Sequence, residues 1–276
     1  MTAEASEYAV AQTATPVLNS PDFKEIFGGV GELNLKTDRC GQVRALEFIA
    51  LPGSVFKIIK KLRSGPAEIY QVETDEYTAP AGVRLYVDTR FLTLEHVVPK
   101  PRNRTLPPQD YILAMLKDAV GSRYVWGGNV LSGIPSFASW YRKGLRDDAE
   151  ERNILDGLDC SGLLYHATGG WTPRNTSQLI TVGAGVPIAG KLPAEIVPIL
   201  QPLDLIVWNG HVIIVLDQHT VIESRLDCGK PGNGGVVLTG LSQRLAGIMR
   251  TRHPADTWIG ANKHQDAFVV RRWYSQ

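Results

Sequence analysis

The stretch LDGLDCSGLLYHATGG, residues 155–170, sets a cysteine between an aspartate and a short apolar run that ends in two glycines. Asp159 is a residue type preferred at a helix N-cap, and the pair Gly169 and Gly170 is typical of a helix C-terminus. The stretch therefore predicts a short helix that begins at Cys160. This cysteine is either a small buried hydrophobe or a nucleophile, and the rest of the chain bears on that choice.

A thiol attacks a carbonyl usefully only as the thiolate, which a helix N-terminus, a neighbouring imidazolium and partial exposure all favour. The helix start supplies the first of these for Cys160. The imidazole has to come from elsewhere in the chain. Of the six histidines, His211 is the best placed, because it opens the apolar strand HVIIVL directly after the tight turn WNG. The sequence therefore suggests a Cys160–His211 pair.

Residues 110–276 show helical patterns first and strand patterns afterwards. PPQDYILAMLKDAVGSRY has prolines placed to open a helix and one apolar face, formed by Ile112, Leu113, Leu116 and Val120. After the Cys160 helix come the strand-like runs LDLIVW, HVIIVL, TVIES and DAFVVRRWY. This order predicts an α+β domain with an antiparallel sheet.

The first part of the chain is different. Residues 1–20 are small and polar and suggest a tail or strapping segment. Residues 21–98 contain short β-branched or aromatic runs broken by turn signals, which predicts a small β-barrel. Its end, GVRLYVDTRFLTLE, resembles the last strand of bacterial SH3-like domains. Residues 99–109 are rich in proline and predict a semi-rigid linker between the two domains.

Composition excludes several classes of partner. The chain has 276 residues, 43% of them hydrophobic and 21% charged, and a net charge of +1. It is long enough for two domains, and it has no charge excess that predicts nucleic acid as a partner. No apolar run approaches the ~18 residues of a membrane helix, so no membrane insertion is expected.

The N-terminal residues lack the basic start and apolar core of a secretory signal. The expectation is a cytoplasmic protein if this start is native, and a periplasmic or secreted one if a signal has been removed. The three cysteines show no CxxC spacing. We therefore expect neither a disulfide framework nor a zinc site, with Cys40 and Cys228 as inert buried residues.

Four short motifs occur in order: YVWGG at 124–128, DCSG at 159–162, PRNTSQ at 173–178 and DLIVWNGH at 204–211. Together they resemble the NlpC-type cell-wall cysteine peptidases, a papain-like family with Y-x-W-G-G, D-C-S-G, P-R-x-S-x-Q and D-L-I-x-W before its histidine. The resemblance covers residues 110–224 well and the tail to 276 poorly. It implies a papain-like α+β catalytic domain preceded by an SH3-like β-barrel.

The resemblance makes Cys160 the nucleophile and His211 the general base. A third polar residue, often another histidine in the family, falls here at Glu223. A carboxylate can orient the ring and stabilise the imidazolium. If a turn of three or five residues joins the two strands, Glu223 lies on the same sheet face as His211. His219 then falls in the turn and is the poorer candidate.

The resemblance also assigns substrate-binding roles. Tyr124 and the backbone N–H of Cys160 would stabilise the oxyanion. Asp159 and Ser161 would contact the amino-terminal part of a stem peptide, although Asp159 as a helix cap alone is an equal alternative. Three more side chains would shape the wall of the cleft: Arg174, Ser177 and Gln178.

One segment does not fit the compact family pattern. About 30 residues separate WGG from DCSG, which is long for a simple connection. A functional loop or lid beside the cleft is one interpretation. A solvated surface excursion is the other, and the charge cluster RKGLRDDAEER suits it equally well.

The resulting hypothesis is a monomeric cysteine peptidase that hydrolyses peptidoglycan stem peptides at the bond between γ-D-glutamate and the diamino acid. No metal or cofactor is expected, and soluble muropeptides in cell-wall recycling are the expected substrates. One alternative is a thiol-dependent acyltransferase or amidase, although relatives with lipid acyl chemistry carry the histidine before the cysteine. The other is a non-catalytic peptidoglycan-binding protein, against which the retention of both Cys160 and His211 argues.

Overall fold

The computed structural model describes residues 7–28, 35–64, 67–141, 155–258, 260 and 266–274. The chain divides into two compact units, each built from several segments. The first unit comprises Met1–Arg104, Val125–Leu158 and Cys228–Asn233. The second comprises Thr105–Tyr124, Asp159–Asp227 and Gly234–Gln276. Residues 125–158 thus belong to the first unit, whereas the sequence analysis placed them in the second domain.

The helices and strands of the described residues are named in chain order. The helices are α1 (Phe23–Phe27), α2 (Gln109–Asp118), α3 (Phe137–Tyr141), α4 (Cys160–Ala167), α5 (Thr176–Leu179), α6 (Pro193–Ile196) and α7 (Leu241–Ile248). The strands are β1 (Tyr8–Ala11), β2 (Thr15–Leu18), β3 (Leu46–Ala50), β4 (Val55–Ser64), β5 (Ala67–Glu73), β6 (Leu85–Asp88), β7 (Leu92–Glu95), β8 (Asn129–Val130), β9 (Gly157–Leu158), β10 (Ala184–Gly185), β11 (Leu205–Trp208), β12 (His211–Val215), β13 (Thr220–Leu226), β14 (Gly234–Gly240), β15 (His253–Ala255) and β16 (Ala267–Arg272).

The first unit contains a seven-stranded sheet in the order β3-β2-β6-β5-β4-β1-β7. All its pairings are antiparallel. The strands predicted between residues 43 and 94 are confirmed. The closed barrel is not found, because among the described residues no pairing joins β3 to β7. The sheet is open, and an SH3-like fold is not shown.

The N-terminal segment is part of this sheet. β1 pairs with both β4 and β7, and β2 pairs with β3 and β6. Ala9 and Ala11 alternate into the core, so small side chains here serve close packing between strands. The prediction of a tail over residues 1–20 is therefore wrong for the two strands.

The described parts of the long segment between WGG and DCSG, residues 129–141 and 155–158, contribute to the core of the first unit. Ile134, Phe137, Tyr141 and Leu155 are buried among the aromatic side chains of this unit. The Tyr141 hydroxyl donates a hydrogen bond to the buried carboxylate of Asp88. The described part of the segment is thus neither a solvated excursion nor a lid. The charge cluster RKGLRDDAEER lies outside the described residues.

Cys40 and Cys228 form a disulfide within the first unit, with Cα atoms 5.1 Å apart. The expectation that both are inert free thiols is wrong. Their pairing joins positions separated by 188 residues, a juxtaposition that only the folded backbone creates. Cys160 is the free cysteine of the chain.

The second unit combines helices with a sheet in the order β10-β16-β11-β12-β13-β14. The pairings along this path are antiparallel, as predicted, and β15 adds a parallel pairing to β16. In α2, Ile112 and Leu116 are buried, while Val120 lies beyond the helix end and is exposed. No helix in the described ranges has the length and apolarity needed to span a bilayer.

Helix α7 follows β14 and covers one face of this sheet. Its side chains Leu241, Leu245 and Ile248 are buried with Ile213 of β12 and Val221 of β13. The i, i+4 and i+7 spacing of these three residues produces the apolar stripe of an amphipathic helix. The same packing fixes where the polar side chains of α7 point.

Candidate active site

Cys160 is the first residue of α4 and is 8% exposed. Asp159 caps the helix, as predicted: its backbone is extended, and its Oδ1 accepts a hydrogen bond of 2.7 Å from the Gly162 N–H. The helix ends where the sequence indicated, because Gly169 and Gly170 adopt left-handed conformations and donate to the last carbonyls. The Cys160 Sγ thus lies at the positive end of the helix dipole.

His211 is placed by a two-residue turn. Trp208 and His211 are paired residues of β11 and β12, joined through residues 209–210. Gly210 has φ +94°, the left-handed region that glycine adopts without strain. The turn brings the Gly210 carbonyl oxygen within 3.9 Å of the Cys160 Sγ. The Trp208 ring lies against the imidazole of His211, with the two ring centroids 5.1 Å apart.

Glu223 lies beside His211 on the same face of the sheet. Val215 pairs with Val221, so five residues separate the paired positions, which is one of the turn lengths that place Glu223 on this face. The His211 Nε2 is 2.7 Å from the Glu223 Oε2. His219 is exposed in the turn, where its backbone N–H donates to Asp217.

The charges of this cluster reinforce one another. Burial lowers the pKa of His211, but hydrogen bonds and charge interactions with Cys160 and Glu223 outweigh it and raise the pKa to about 9. Burial raises the pKa of Glu223, but His211 and Arg244 overcome this and lower it to about 2. Glu223 is therefore an acceptor at neutral pH, so the Nε2 carries a proton and Nδ1 is left to face the thiol.

Arg244 of α7 is a member of this cluster that the sequence analysis missed. Its Nε donates to the Glu223 Oε1 at 2.7 Å, and its Nη2 donates to the Glu223 Oε2 at 2.8 Å. The resemblance was poor over this part of the chain, so no motif pointed to it. The available signal was the amphipathic pattern LSQRLAGI, which predicts a helix but not the partner of its arginine.

A second polar cluster lies next to Cys160. Arg174 is 2% exposed and donates to both oxygens of Asp159, at 2.9 Å and 2.6 Å. It also donates to the Ser161 Oγ at 2.8 Å. The structure thus brings three predicted residues together. Asp159 acts here both as a helix cap and as an ion-pair partner, and Arg174 is buried behind it.

The remaining predicted residues are placed as follows. Tyr124 is buried, and its backbone N–H donates to the Gly234 carbonyl. Ser177 is exposed and Gln178 is half-buried on α5. The neighbouring Thr176, not predicted, accepts a hydrogen bond of 3.2 Å from the Gly210 N–H and so holds the turn before His211. The substrate roles of Tyr124, Ser177 and Gln178 stay predictions.

The cluster combines a thiol at a helix N-terminus, an imidazole with a raised pKa and a buried carboxylate that accepts from it. This is the combination that activates a sulfur nucleophile and then returns a proton to a leaving group. In the ranges that the structure describes, no three His, Cys, Asp or Glu side chains converge in a way that could hold a metal ion.

No family model matches the chain, and no curated protein does. The similar solved structures include an NlpC/P60 family protein from Bacillus cereus, at 14% identity and a TM-score of 0.35, covering 98% of this chain and 64% of that one. RipD from Mycobacterium tuberculosis, described as a non-catalytic NlpC/p60 domain protein adapted to peptidoglycan binding, shares 19% identity over 59% of this chain and 95% of its own, with a TM-score of 0.33.

NlpC2 from Trichomonas vaginalis shares 12% identity over 98% of this chain and 74% of its own, with a TM-score of 0.35. The chain thus spans less than two thirds of the length of the Bacillus cereus protein. At such TM-scores these likenesses carry no weight for the function of this chain, which has to be argued from its own site.

Proposed function

We propose that this chain is a cysteine peptidase that hydrolyses peptidoglycan stem peptides, with Cys160 as nucleophile, His211 as general acid and base, and Glu223 as the residue that orients the ring. The observation that carries the proposal is the 2.7 Å contact of the Glu223 carboxylate with His211 Nε2, next to the free thiol of Cys160 at the start of α4, which helps to raise the pKa of the imidazole. The four ordered motifs support the substrate class. The bond between γ-D-glutamate and the diamino acid is the proposed point of cleavage.

The chemistry follows from the geometry. The Cys160 thiolate attacks the carbonyl carbon, and the backbone N–H groups at the helix start stabilise the oxyanion. His211 gives its Nδ1 proton to the leaving amine, the C–N bond breaks and a thioester remains. Water then loses a proton to His211 and attacks the thioester. The C–S bond breaks, and the acid product leaves.

Glu223 acts by charge and orientation. Its carboxylate accepts from Nε2 throughout and stays ionised, because its pKa of about 2 lies far below neutral pH. It therefore stabilises the imidazolium without taking the proton. The predicted contact of Asp159 with the amino-terminal part of a stem peptide has one requirement. The ligand would have to share the Asp159 carboxylate with Arg174, which already forms an ion pair with it.

The disulfide bears on where the protein works. Disulfides persist in oxidising compartments and are rare in reducing ones. We therefore propose an oxidising compartment, on the strength of the Cys40–Cys228 bond. Recycling of muropeptides in a reducing cytoplasm fits this bond poorly, and the proposed function does not include it.

The test uses purified protein and defined muropeptides that contain L-alanine, γ-D-glutamate and a diamino acid, with products read by mass. Wild-type protein should separate the part that ends in L-alanyl-D-glutamate from the part that begins with the diamino acid, Cys160→Ala should cleave nothing, and His219→Ala should match wild type. Transfer of the acyl group to an added amine with no hydrolysis would favour the acyltransferase alternative. Binding of the muropeptide with no product from wild type would favour the non-catalytic alternative and contradict the proposal.

A further inference from the structure

Glu223 is a fully buried carboxylate surrounded by cations from three elements. His211 of β12 donates to it at 2.7 Å, and Arg244 of α7 donates through two nitrogens. Arg225, two residues along β13, has its Nη1 3.7 Å from the Glu223 Oε1, too far for a hydrogen bond, and is 44% exposed. Cys160 of α4 also acts on the imidazole, because its interaction with His211 raises the pKa of the ring.

The two arginines differ in what they can do for this carboxylate. Arg244 is 23% exposed, and its planar guanidinium binds both carboxylate oxygens, which fixes the plane of the carboxylate as well as its charge. Arg225 supplies charge alone, through solvent. A carboxylate held in one plane presents a lone pair in a fixed direction to the His211 Nε2. This hydrogen bond in turn fixes the orientation of the imidazole ring relative to the thiol.

We infer that Arg244 is a positioning residue for the active site: by fixing the Glu223 carboxylate, it sets the orientation of the His211 ring toward Cys160. It touches neither the thiol nor the imidazole. The expected effect of Arg244 on turnover rests on the proposed function. Its expected effect on the protonation of the Cys160–His211 pair does not. The two can therefore be tested separately.

Two consequences separate positioning from a purely structural ion pair. Loss of the Arg244 charge removes one of the two groups that oppose the effect of burial on Glu223, so the pKa of this carboxyl should rise, and the acid limb of the activity profile should move to higher pH. While Glu223 stays ionised, removal of a cation from its neighbourhood should also raise the pKa of His211. The other charged groups around the imidazole are Glu223, Cys160, the solvent-screened Arg225 and, stacked on Trp208, Arg252.

The experiment compares Arg244→Met with Arg225→Met, which removes an equal charge beside the same carboxylate without removing a hydrogen bond. We measure the His211 imidazole titration by NMR, the iodoacetamide alkylation rate of Cys160 against pH and, separately, kcat and KM on the muropeptide. Arg244→Met should shift both pH profiles and lower kcat roughly 10–100-fold with KM changed by less than about threefold. Arg225→Met should stay within about twofold of wild type.

Two rescue experiments complete the test. Arg244→Lys should recover part of the loss, since it restores charge but not the two-pronged geometry, and added guanidinium should raise the activity of Arg244→Met. If Arg244→Met does not fold, Arg244→Lys is measured in its place. It should still shift the His211 titration and the pH profile of Cys160 alkylation. A folded Arg244 variant with wild-type titration and alkylation profiles overturns the inference. Wild type that cleaves nothing, with profiles that still shift in Arg244→Met, leaves the inference standing and refutes the proposed function.

Discussion

Replacing Glu223 with Gln should move the alkaline limb of activity to lower pH. The change keeps a hydrogen-bond acceptor of nearly the same shape next to the His211 Nε2 but removes a full negative charge 2.7 Å away. That charge is one of the causes that raise the pKa of His211 to about 9. Its loss should lower the pKa of the imidazole, because the protonated ring is no longer compensated.

The magnitude follows from the geometry. An opposite charge in direct contact shifts a pKa by roughly 1–3 units, so the limb should fall from about 9 into the range of roughly 6–8. For a shift of two units, the protonated fraction of the ring at pH 8 drops from roughly nine tenths to one tenth, on the order of tenfold. Loss of the fixed orientation adds to this, for a total on the order of 10–10³ in turnover.

The assay is kcat/KM on a muropeptide from pH 5 to pH 10, together with direct titration of the His211 ring by NMR. His219→Ala serves as the control, since His219 is exposed in the turn and contacts neither partner. An alkaline limb that stays at about pH 9 in Glu223→Gln would refute the reasoning. A crippled His219→Ala beside a neutral Glu223→Gln would show that the two residues exchange roles.

Three further predictions concern other parts of the chain. Cys160→Ala and His211→Ala should each abolish cleavage while the circular dichroism spectrum stays that of wild type; turnover by pure Cys160→Ala would sink the peptidase proposal. Iodoacetamide should label Cys160 in the native protein, and Cys40 and Cys228 only after reduction, as read by peptide mass; three labelled cysteines without reductant would contradict the disulfide. The pKa of Glu223 is lowered from 4.5 to about 2, so its stabilising contribution is complete above pH 4.5 and is lost as pH falls through about 2. Urea unfolding should show a loss across this window that is larger in wild type than in Glu223→Gln by about 3 kcal/mol, and equal losses would speak against the ion pair.

Local signals in the sequence were enough to predict the helix start at Cys160 and the strand start at His211. The N-cap preference of Asp159 placed Cys160 at a helix start, and the apolar runs LIVW and HVIIV placed His211 at the start of a strand. Glu223 came from the family resemblance, and its place on the face of His211 depended on a turn length that only the structure supplies. The inferences on Cys160 and His211 each depend on residues within one or two elements, where propensity and strand periodicity act directly.

The features that the sequence did not predict depend on long-range packing. Arg244 meets Glu223 because α7 packs its apolar stripe on the sheet, and nothing in LSQRLAGI encodes that partner. Strand periodicity is the same in an open sheet and in a closed barrel, so the pattern over residues 21–98 could not distinguish them. β1 and β2 were missed because strands of only four residues, YAVA and TPVL, are too short to show a clear alternation of apolar and polar residues.

The Cys40–Cys228 bond also changes what a cut in the backbone can do to this protein. Any single cleavage between these positions opens a covalent ring without releasing a fragment, and Cys160, His211 and Glu223 all lie inside that ring. Arg244 lies outside it, so a single cut between residues 229 and 240 would break the covalent link between α7 and the ring. In the presence of a protease, the proposed catalytic residues Cys160, His211 and Glu223 would therefore stay covalently joined after one cut. Arg244 is the member of the cluster that one cut could separate covalently from them.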